Sequence, residues 1–455
     1  MAFFRCWGLG TGTGDWKMNV AIFGFGTVGQ SVAKLLLQKH ADRLRLTHVF
    51  NRGVARKKVD WMPGEVVWTE DANEVFNARP DIVVELMGGV GPALDVARVA
   101  LEAGASVVTA NKQVIAHHGR ELTALARQHG AELRFEGSVA GGIPVLRAIE
   151  DGLSADSLVR VAGVVNGTST HILSRMEQGR TFTEALLEAQ TLGFAEADPS
   201  DDLTGRDAAA KLAILSATAL NRPISPNDIS CRSIASIEPI DFRYAGELQC
   251  TIRQVAWADA VAGKCQVAAA VRPALVSHRS PLARVTSNQN VVTVQGEFGG
   301  ETAFYGRGAG GDATAVAVVS DLLAIVGQGS PVWHGMPAAA VGFNAEARDP
   351  KRYAMRGFMC PQNSVTADYS APHYVRFTVR DRPGIIAAVA DAFARQHISI
   401  NAVLQHPGWP ADRLPFVMTL ERCDEARLDR AVAEINALDF HVQAPVVLPI
   451  FEGVV

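Results

Sequence analysis

Short apolar runs alternate with helical patterns along the first part of the chain. Asn19 to Phe23 is a mainly apolar run typical of a buried strand, and Gln30 to Gln38 carries apolar residues at helical spacing. Repetition of this alternation predicts parallel crossover units and an α/β fold. The predicted strands are 19–23, 46–50, 81–85, 106–109 and 132–135, and the predicted helices are 30–38, 93–103 and 119–129.

A glycine-rich turn joins the first predicted strand to the first predicted helix. Gly24 permits a tight turn, Gly26 lets the backbone approach a pyrophosphate, and Gly29 lets the helix pack on the strand. The start of the helix attracts phosphate charge. The turn therefore predicts a dinucleotide site, with a purely structural glycine turn as the alternative. Its residues are Gly24, Phe25, Gly26, Thr27, Val28 and Gly29.

Basic residues follow the second predicted strand, where an NAD site normally offers an acid to the ribose. The strand ends in Asn51-Arg52, and 56–58 are also basic. Because a guanidinium can pair with a ribose phosphate, Arg52 favours NADP(H) over NAD(H). A solvated basic loop is the alternative.

A second lysine-bearing turn follows the strand at 106–109. Thr109 and Lys112 lie at the carboxyl end of this strand, the edge at which parallel sheets bind ligands. This position favours a role for Lys112 in the site, although an isolated lysine is more often a surface charge.

The segment from Ala189 to Lys211 is an acidic loop that leads into an almost wholly apolar helix. Thr204 and Asp207 resemble a capping box, which places Asp207 in the first helical turn and Lys211 one turn later on the same face. A helix that is apolar all round is typically buried. Burial lowers the pKa of a lysine and a neighbouring carboxylate raises it, so this pattern suits a general acid. The alternative is an exposed ion pair.

The last part of the chain has the pattern of a separate domain. Residues 357–372 lack periodicity and are predicted to be a linker. After them, strands at 374–379, 398–404, 414–420 and 442–448 and helices at 385–396 and 425–437 predict a ferredoxin-like βαββαβ fold.

Composition narrows the class of protein. The 455 residues carry a formal net charge of -4 without a long basic run, so neither nucleic acid nor a membrane is expected as a partner. The six cysteines are scattered without metal-ligand spacing, which predicts reduced thiols and a cytoplasmic location. These cysteines are Cys6, Cys231, Cys250, Cys265, Cys360 and Cys423.

From Met18 onward the chain resembles homoserine dehydrogenases of the single-function form that carries a C-terminal ACT domain. The segment 189–211 fits that family's signature, and further matches lie at 109–112, 135–144, 166–168 and 306–311. The resemblance implies an extension at 1–17, a Rossmann-type dinucleotide-binding domain at 18–150, an α+β catalytic and dimerisation domain at 151–330, a return segment and linker at 331–372, and a ferredoxin-like ACT regulatory domain at 373–450.

The resemblance implies the reversible, nicotinamide-dependent interconversion of L-aspartate 4-semialdehyde and L-homoserine, on the route to threonine, methionine and isoleucine. Lys211 matches the proton donor and Lys112 its companion lysine. Glu196 matches the carboxylate that holds the substrate amino group, with Asp202 and Asp207 shaping the pocket. Other implied contacts are Gly193 and Thr168 with substrate, and Thr109, Lys112 and Gly310 with the cofactor.

Three further expectations come with the resemblance. A sodium ion is implied at Glu136, Val139, Gly141 and Ile143, through backbone carbonyls, with a tight glycine turn as the alternative. An amino-acid effector, expected to be threonine, is implied near Gly384 and Asn401, with a plain dimerisation module as the alternative. The assembly is expected to be a homodimer or a homotetramer.

One local departure and three competing identities bear on this interpretation. Ser169-Thr170-His171 replaces the family's usual residues after Asn-Gly-Thr, and His171 is either a pocket residue or a packed helix-start histidine. A phosphoglycerate dehydrogenase would carry its glycine turn in mid-chain, and an aspartate semialdehyde dehydrogenase would need a nucleophilic cysteine, which is absent between Cys6 and Cys231. A non-catalytic amino-acid sensor would have no need of a buried Lys211.

Overall fold

The computed structural model describes residues 17–327, 364–366 and 369–451. Of these, 17–109, 121–134 and 318–327 form one compact unit and the remainder form a second. The predicted extension at 1–17, apart from Lys17, and most of the predicted return segment and linker at 331–372 lie outside the described residues.

The first sheet follows the predicted alternation closely. Its strands and the neighbouring helices are β1 (Met18–Phe23), α1 (Thr27–Lys39), β2 (Leu44–Phe50), β3 (Val67–Thr69), α2 (Ala72–Asn77), β4 (Ile82–Glu85), α3 (Gly91–Glu102), β5 (Ser106–Thr109), α4 (Lys112–Gln128) and β6 (Leu133–Arg134). The strands are all parallel in the order β3-β2-β1-β4-β5-β6. This is the doubly wound order of a dinucleotide-binding fold, so the predicted Rossmann-type fold is confirmed.

Two elements of this region were not predicted, and one begins earlier than predicted. The short strand β3 and the short helix α2 are too brief to show a clear period. Helix α4 begins at Lys112 rather than Gly119, and Asn111 Oδ1 accepts a hydrogen bond from Val114 N at 3.3 Å at its start. A capping asparagine supplies the acceptor that the first turn lacks.

The second unit contains a larger mixed sheet. Its elements before residue 327 are α5 (Val145–Arg147), β7 (Leu158–Val164), α6 (Gly167–Glu177), α7 (Phe182–Thr191), α8 (Ser200–Thr204), α9 (Arg206–Ala219), β8 (Ser230–Cys231), α10 (Pro239–Glu247), β9 (Cys250–Ala260), β10 (Gln266–Ser277), β11 (Gln289–Gly296), β12 (Gly300–Arg307) and α11 (Gly311–Val326), whose residues from 318 onward belong to the first unit. Strands β12, β11, β7, β9 and β10 lie side by side, and each adjacent pair is antiparallel.

The C-terminal part has the predicted βαββαβ order. A short strand, β13 (Ser364–Thr366), precedes it and pairs with β10. The fold itself comprises β14 (Ser370–Val379), α12 (Ile385–Arg395), β15 (Ile400–Gln405), β16 (Leu414–Asp424), α13 (Glu425–Asn436) and β17 (His441–Phe451). The order β17-β14-β16-β15 confirms the ferredoxin-like fold. Strand β17 also pairs with β10, at Leu275–Ile450 and Val276–Phe451, so this sheet continues the catalytic sheet.

A buried ion pair attaches β14 to α10. Arg376 Nε donates to Asp241 Oδ1 at 2.7 Å, and Tyr374 Oη donates to the same oxygen at 2.7 Å. The side chains of Arg376 and Asp241 are 1% and 0% exposed. Arg376 lies on β14 of the C-terminal fold, and Asp241 lies on α10 of the catalytic fold. The pair therefore joins these two folds.

We expect Asp241→Ala to lower the free energy of unfolding by about 3 to 5 kcal/mol, because it removes the nearer and buried counter-charge of the Arg376 guanidinium and, among the described residues, leaves only the partly exposed Glu238 at 3.7 Å. Urea denaturation followed by circular dichroism would measure the change. The matched control is Asp391→Ala, which removes an exposed partner of Arg395 and should leave the denaturation midpoint unchanged. Equal midpoints for wild type and Asp241→Ala would contradict the expectation.

The cysteines depart from the prediction at one position. Cys231, Cys250 and Cys423 are free thiols, whereas Cys265 is disulfide-bonded, so the expectation of reduced thiols is wrong for Cys265. Cys6 and Cys360 lie outside the described residues. Among the helices that the structure describes, none has the length and apolar character needed to cross a bilayer.

Candidate active site

Helix α9 begins at a glycine rather than at the predicted threonine cap. Gly205 has a left-handed φ of +88° and both ends α8 and precedes α9, while Thr204 Oγ1 donates back to Ser200 O within α8. A Cβ at Gly205 would lie 2.8 Å from Val271 Cγ1, so the position also requires close packing. The capping-box prediction is therefore wrong, but Asp207 still lies in the first turn of α9.

Asp207 and Lys211 form a buried pair. Lys211 Nζ lies 2.8 Å from Asp207 Oδ2, and their side chains are 14% and 7% exposed. Lys211 Nζ also donates to Val165 O at 2.8 Å, at the end of β7. The alternative of a solvent-exposed ion pair is excluded, because burial of this degree removes most of the hydration of the ammonium group.

Lys112 shares the same carboxylate. Its Nζ lies 2.5 Å from Asp207 Oδ1, with 37% of the Lys112 side chain exposed. Burial would lower the pKa of Lys112, but attraction to Asp207 outweighs burial and raises it. Burial would likewise raise the pKa of Asp207, yet Lys211 and Lys112 hold it well below its usual range. Asp207 is therefore an anion held between two ammonium groups.

A buried asparagine that sequence analysis did not single out joins this cluster. Asn166 Nδ2 donates to Asp207 Oδ2 at 2.9 Å and to Asp202 Oδ1 at 2.6 Å. Its Oδ1 accepts from Ser169 N at 2.8 Å and caps α6. The signal in the sequence was an asparagine directly before a helix, which indicates a cap but not its second set of partners.

The loop at 193–199 lies next to the start of α6. Thr168 Oγ1 donates to Phe194 O at 2.6 Å, and Gly193 follows α7 with a φ of +73°. The Glu196 side chain is exposed, and its backbone oxygen accepts from Gln190 Nε2 at 3.4 Å. Thus Thr168 anchors this loop, whereas the Glu196 carboxylate is not brought into the Asp207 cluster.

His171 is a packed histidine on α6. Its side chain is 7% exposed, its ring centroid lies 5.0 Å from that of Phe194, and its Nε2 lies 3.8 Å from Glu188. Burial lowers the pKa of His171 below its usual value. Of the two interpretations of this residue, the packed histidine describes it.

The glycine loop at 306–311 packs against the turn that was assigned to sodium. A Cβ on Gly141, whose φ is +55°, would lie 2.6 Å from Gly308 O. Gly310 has a φ of +122° and immediately precedes α11. The Glu136 carboxylate accepts hydrogen bonds from Leu146 N and Arg147 N at 2.8 and 2.9 Å. The remaining sodium candidates, Val139 and Ile143, are buried.

In the first unit, the glycine turn fits a bound dinucleotide. A Cβ on Gly24 would lie 2.6 Å from Leu86 O, and a Cβ on Gly29 would lie 2.3 Å from Gly24 O, whereas a Cβ on Gly26 would meet nothing within 4 Å. The open position is the one that a pyrophosphate approaches. Helix α1 starts with Thr27 and Val28 and has no side-chain cap and no acid in its first turn, so its start suits an anion.

The other predicted cofactor residues of the first unit lie near the carboxyl ends of its parallel strands. Phe25 is buried, and its N–H donates to Asn51 Oδ1 at 2.9 Å. Arg52 is exposed directly after β2. Thr109 is buried and its Oγ1 donates to Glu85 Oε2 at 2.6 Å. Glu85, which is fully buried, is a second polar residue of this edge that sequence analysis did not single out.

The two predicted effector residues both lie on the C-terminal fold. Gly384 has a φ of +93° and begins α12 without a side-chain cap. Asn401 is exposed on β15, the terminal strand of the sheet.

A dinucleotide fold together with a buried carboxylate–lysine cluster defines a nicotinamide-dependent oxidoreductase with an appended ferredoxin-like domain. Comparison with known proteins identifies its parts. Residues 24–136 match the homoserine dehydrogenase NAD-binding domain, 144–323 match the homoserine dehydrogenase family, and 373–440 match the ACT domain. The chain belongs to the homoserine dehydrogenase family and has that family's NAD(P)-dependent oxidoreductase function.

Individual relatives resemble the chain over nearly its whole length. A homoserine dehydrogenase from Mycobacterium bovis is 38% identical, covering 94% of this chain and 96% of that protein. The crystal structure of a homoserine dehydrogenase from Thiobacillus denitrificans is 32% identical, with a TM-score of 0.85, and covers 96% of this chain and 99% of that one. A hyperthermophilic archaeal homoserine dehydrogenase mutant in complex with NADPH is 30% identical, with a TM-score of 0.59, over 68% of this chain and 97% of that one.

Proposed function

We propose that Lys211 delivers the proton when L-aspartate 4-semialdehyde is reduced to L-homoserine. The observation that carries this proposal is the buried Lys211 ammonium, 2.8 Å from Asp207 and 2.8 Å from Val165 O. The bound nicotinamide supplies the hydride. As the hydride reaches the aldehyde carbon, negative charge develops on the oxygen, and a nearby ammonium quenches it. Lys112 also pairs with Asp207 and so contributes to the charge balance of the cluster formed by Lys112, Asp207 and Lys211.

We propose that the loop at 193–199 and α8 recognise the substrate amino group. The Asp202 carboxylate supports this assignment because it lies in the Asn166 hydrogen-bond cluster. In the proposal, Glu196 reaches the ammonium of the substrate when the loop closes over it, while Gly193 permits the movement and Thr168 anchors the loop.

The reaction is tested by mixing the purified protein with NADPH and L-aspartate 4-semialdehyde and following the loss of NADPH absorbance. Product analysis should show L-homoserine, and L-homoserine with NADP⁺ should restore the absorbance. Absence of turnover with this pair, in protein whose circular dichroism shows it folded, would overturn the proposed substrate.

For the cofactor, we propose a preference for NADP(H), with NAD(H) as the less favoured substrate. Arg52 supports this preference because it is exposed at the end of β2, the position from which a side chain reaches the ribose phosphate. A guanidinium forms paired hydrogen bonds with a phosphate.

We expect Arg52→Ala to raise the KM for NADPH about tenfold or more, the equivalent of one charge-assisted hydrogen bond, and to leave the KM for NADH unchanged. Steady-state kinetics with both cofactors would measure the two constants. Arg45→Ala, on the exposed face at the other end of β2, is the matched control and should change neither. Equal rises for NADPH and NADH would exclude contact with the ribose phosphate.

A sodium ion at Glu136, Val139, Gly141 and Ile143 remains part of the proposal. The Glu136 carboxylate already accepts two backbone hydrogen bonds, so the ion would be held by backbone carbonyl oxygens, which suit a hard cation. Its contribution would be to the conformation of this turn, and no chemical step passes through it.

We further propose feedback control by an amino acid, expected to be threonine, at Gly384 and Asn401. The uncapped start of α12 supports this proposal because its amide groups suit a carboxylate.

We also propose that the protein forms a homodimer or a homotetramer, that it is located in the cytoplasm, and that it has a role in threonine, methionine and isoleucine biosynthesis. Light scattering, cell fractionation and growth of a deletion strain with these amino acids would test the three in turn.

A further inference from the structure

The side chain of Asn166 occupies the centre of the buried cluster behind the two lysines. Its side-chain nitrogen donates hydrogen bonds to two carboxylates, that of Asp202 on α8 at 2.6 Å and that of Asp207 on α9 at 2.9 Å. Asn166 itself is 4% exposed. Asn166 directly precedes α6, so its side-chain amide connects the start of α6 with α8 and with the first turn of α9. These three helices come from separate stretches of the chain.

The amide is held in a single orientation by its other contacts. Its Oδ1 accepts from Ser169 N, so its nitrogen must face the two carboxylates. Ser169 Oγ donates to Gln254 Oε1 at 2.9 Å, and Gln254 Nε2 donates to Asp202 O at 3.2 Å. The network therefore closes on itself around Asn166, and a fully satisfied buried polar network specifies one arrangement of its members.

An amide is the side chain that this place requires. Its nitrogen donates to both carboxylates and adds no charge to a cluster that already contains Asp202, Asp207, Lys112 and Lys211. A carboxyl of the same shape would place an acceptor oxygen against two acceptor oxygens. Burial and the two facing carboxylates disfavour ionisation of a carboxyl introduced there, whereas the two lysines, which would favour it, already pair with Asp207. The pKa of the introduced carboxyl would therefore be raised.

We propose that Asn166 is a positioning residue for the reaction: its N–H groups hold Asp207 in the orientation that pairs with both lysines and hold Asp202 beside it. This inference rests on the proposed function, because it assigns Asn166 an action through Asp207 on the proton donor Lys211. In this assignment Asn166 acts on the reaction only through the carboxylates that it holds.

Asn166→Asp separates this role from the capping of α6. Aspartate caps a helix as well as asparagine does, so the fold and the start of α6 are retained. At alkaline pH the introduced carboxylate faces Asp202 and Asp207 without a proton, and we expect kcat to fall about a hundredfold, as misplacement of a catalytic group by about 1 Å does. As the pH is lowered, the carboxyl gains a proton and can donate to Asp207.

The decisive readout is thus the ratio of mutant to wild-type kcat as a function of pH. For Asn166→Asp this ratio should rise as the pH is lowered from about 8.5 to about 6, because burial and the two facing carboxylates disfavour ionisation of the introduced carboxyl, and its protonated form can donate to Asp207. For Asn166→Ala the ratio should be low and independent of pH. Ser174→Ala, which removes another buried hydroxyl hydrogen bond from α6, should keep the wild-type kcat.

Two results would overturn the assignment. One is an Asn166→Asp enzyme with wild-type kcat at every pH, as a purely capping role predicts. The other is an Asn166→Ala enzyme with a lower Tm but wild-type kcat per folded molecule. Lys211→Ala distinguishes the levels of failure: retained turnover in that variant removes the proposed role of Lys211 as proton donor as well, whereas lost turnover beside an unaffected Asn166→Asp removes only the role of Asn166.

Discussion

Lys211→Ala is expected to reduce turnover at least about a hundredfold, the lower end of the effect of losing a general acid. The side chain is buried on α9, and among the residues that the structure describes its ammonium bonds to Asp207 and to Val165 O. Alanine cannot supply a proton, and water would have to enter the pocket to replace it. Stopped-flow measurement of NADPH oxidation under saturating substrate would give the rate directly.

The effect should be confined to the chemical step. The dissociation constant of NADPH, measured by its fluorescence, should be unchanged in Lys211→Ala. Lys264→Ala removes an exposed lysine from the turn between β9 and β10 and should turn over like the wild type. Wild-type kcat in Lys211→Ala would refute the role of Lys211 as proton donor.

Asp207→Asn is expected to lower both the stability of the protein and its turnover. The substitution keeps the shape of the side chain but leaves the ammonium groups of Lys112 and Lys211 side by side without a negative charge between them. Removing one partner of a buried ion pair costs about 3 to 5 kcal/mol, and the partial exposure of Lys112 reduces the expected cost to about 2 kcal/mol. Urea denaturation measures this change.

A double-mutant cycle isolates the electrostatic part. Adding Lys112→Met to Asp207→Asn removes one of the two repelling charges and should recover part of the lost free energy of unfolding. The same Lys112→Met change in the wild type should instead be destabilising, since it leaves Asp207 with one partner. Additive effects of the two substitutions would show that Asp207 and Lys112 do not interact in solution.

The stability difference should also depend on pH with a definite sign. The folded protein holds the pKa of Asp207 well below its usual value, because Lys211 and Lys112 outweigh the effect of burial. The contribution of Asp207 is therefore complete above the ordinary carboxyl pKa of about 3.9 and is lost as the pH falls further. The gap between wild type and Asp207→Asn should be constant near neutral pH and narrow below about pH 4.

Contacts within one helix or one turn could be predicted without the fold. Asp207 and Lys211 are one helical turn apart, so α-helical geometry alone brings them within reach once α9 forms. The glycine turn at 24–29 could likewise be predicted, because the spacing of its glycines is typical of a strand–turn–helix unit. Even here one local detail differed: Gly205, not Thr204, is the N-cap of α9, because its φ of +88° and its close packing on Val271 both favour a residue without a Cβ.

Contacts between distant residues depended on the tertiary structure. Asn166 reaches Asp207 across 41 residues of chain, and its sequence context indicated only a helix cap. Arg376 and Asp241 are 135 residues apart, and nothing in either local pattern indicated that the C-terminal sheet would be bound to α10. The pairing of β17 with β10 could not be predicted for the same reason. The residue pattern of either strand is equally compatible with a strand at the edge of a separate sheet.

The sequence by itself thus determined the α/β fold, the family, the dinucleotide turn and the acid–lysine spacing of α9. Only the tertiary structure decided that Lys112 and Lys211 share one carboxylate, that Asn166 donates to two, and that the ACT fold extends the catalytic sheet. The physical reason is the range of the forces involved. Backbone hydrogen bonding and side-chain periodicity act over a few residues, whereas the partner of a buried charge is selected by which distant segments the hydrophobic core brings together.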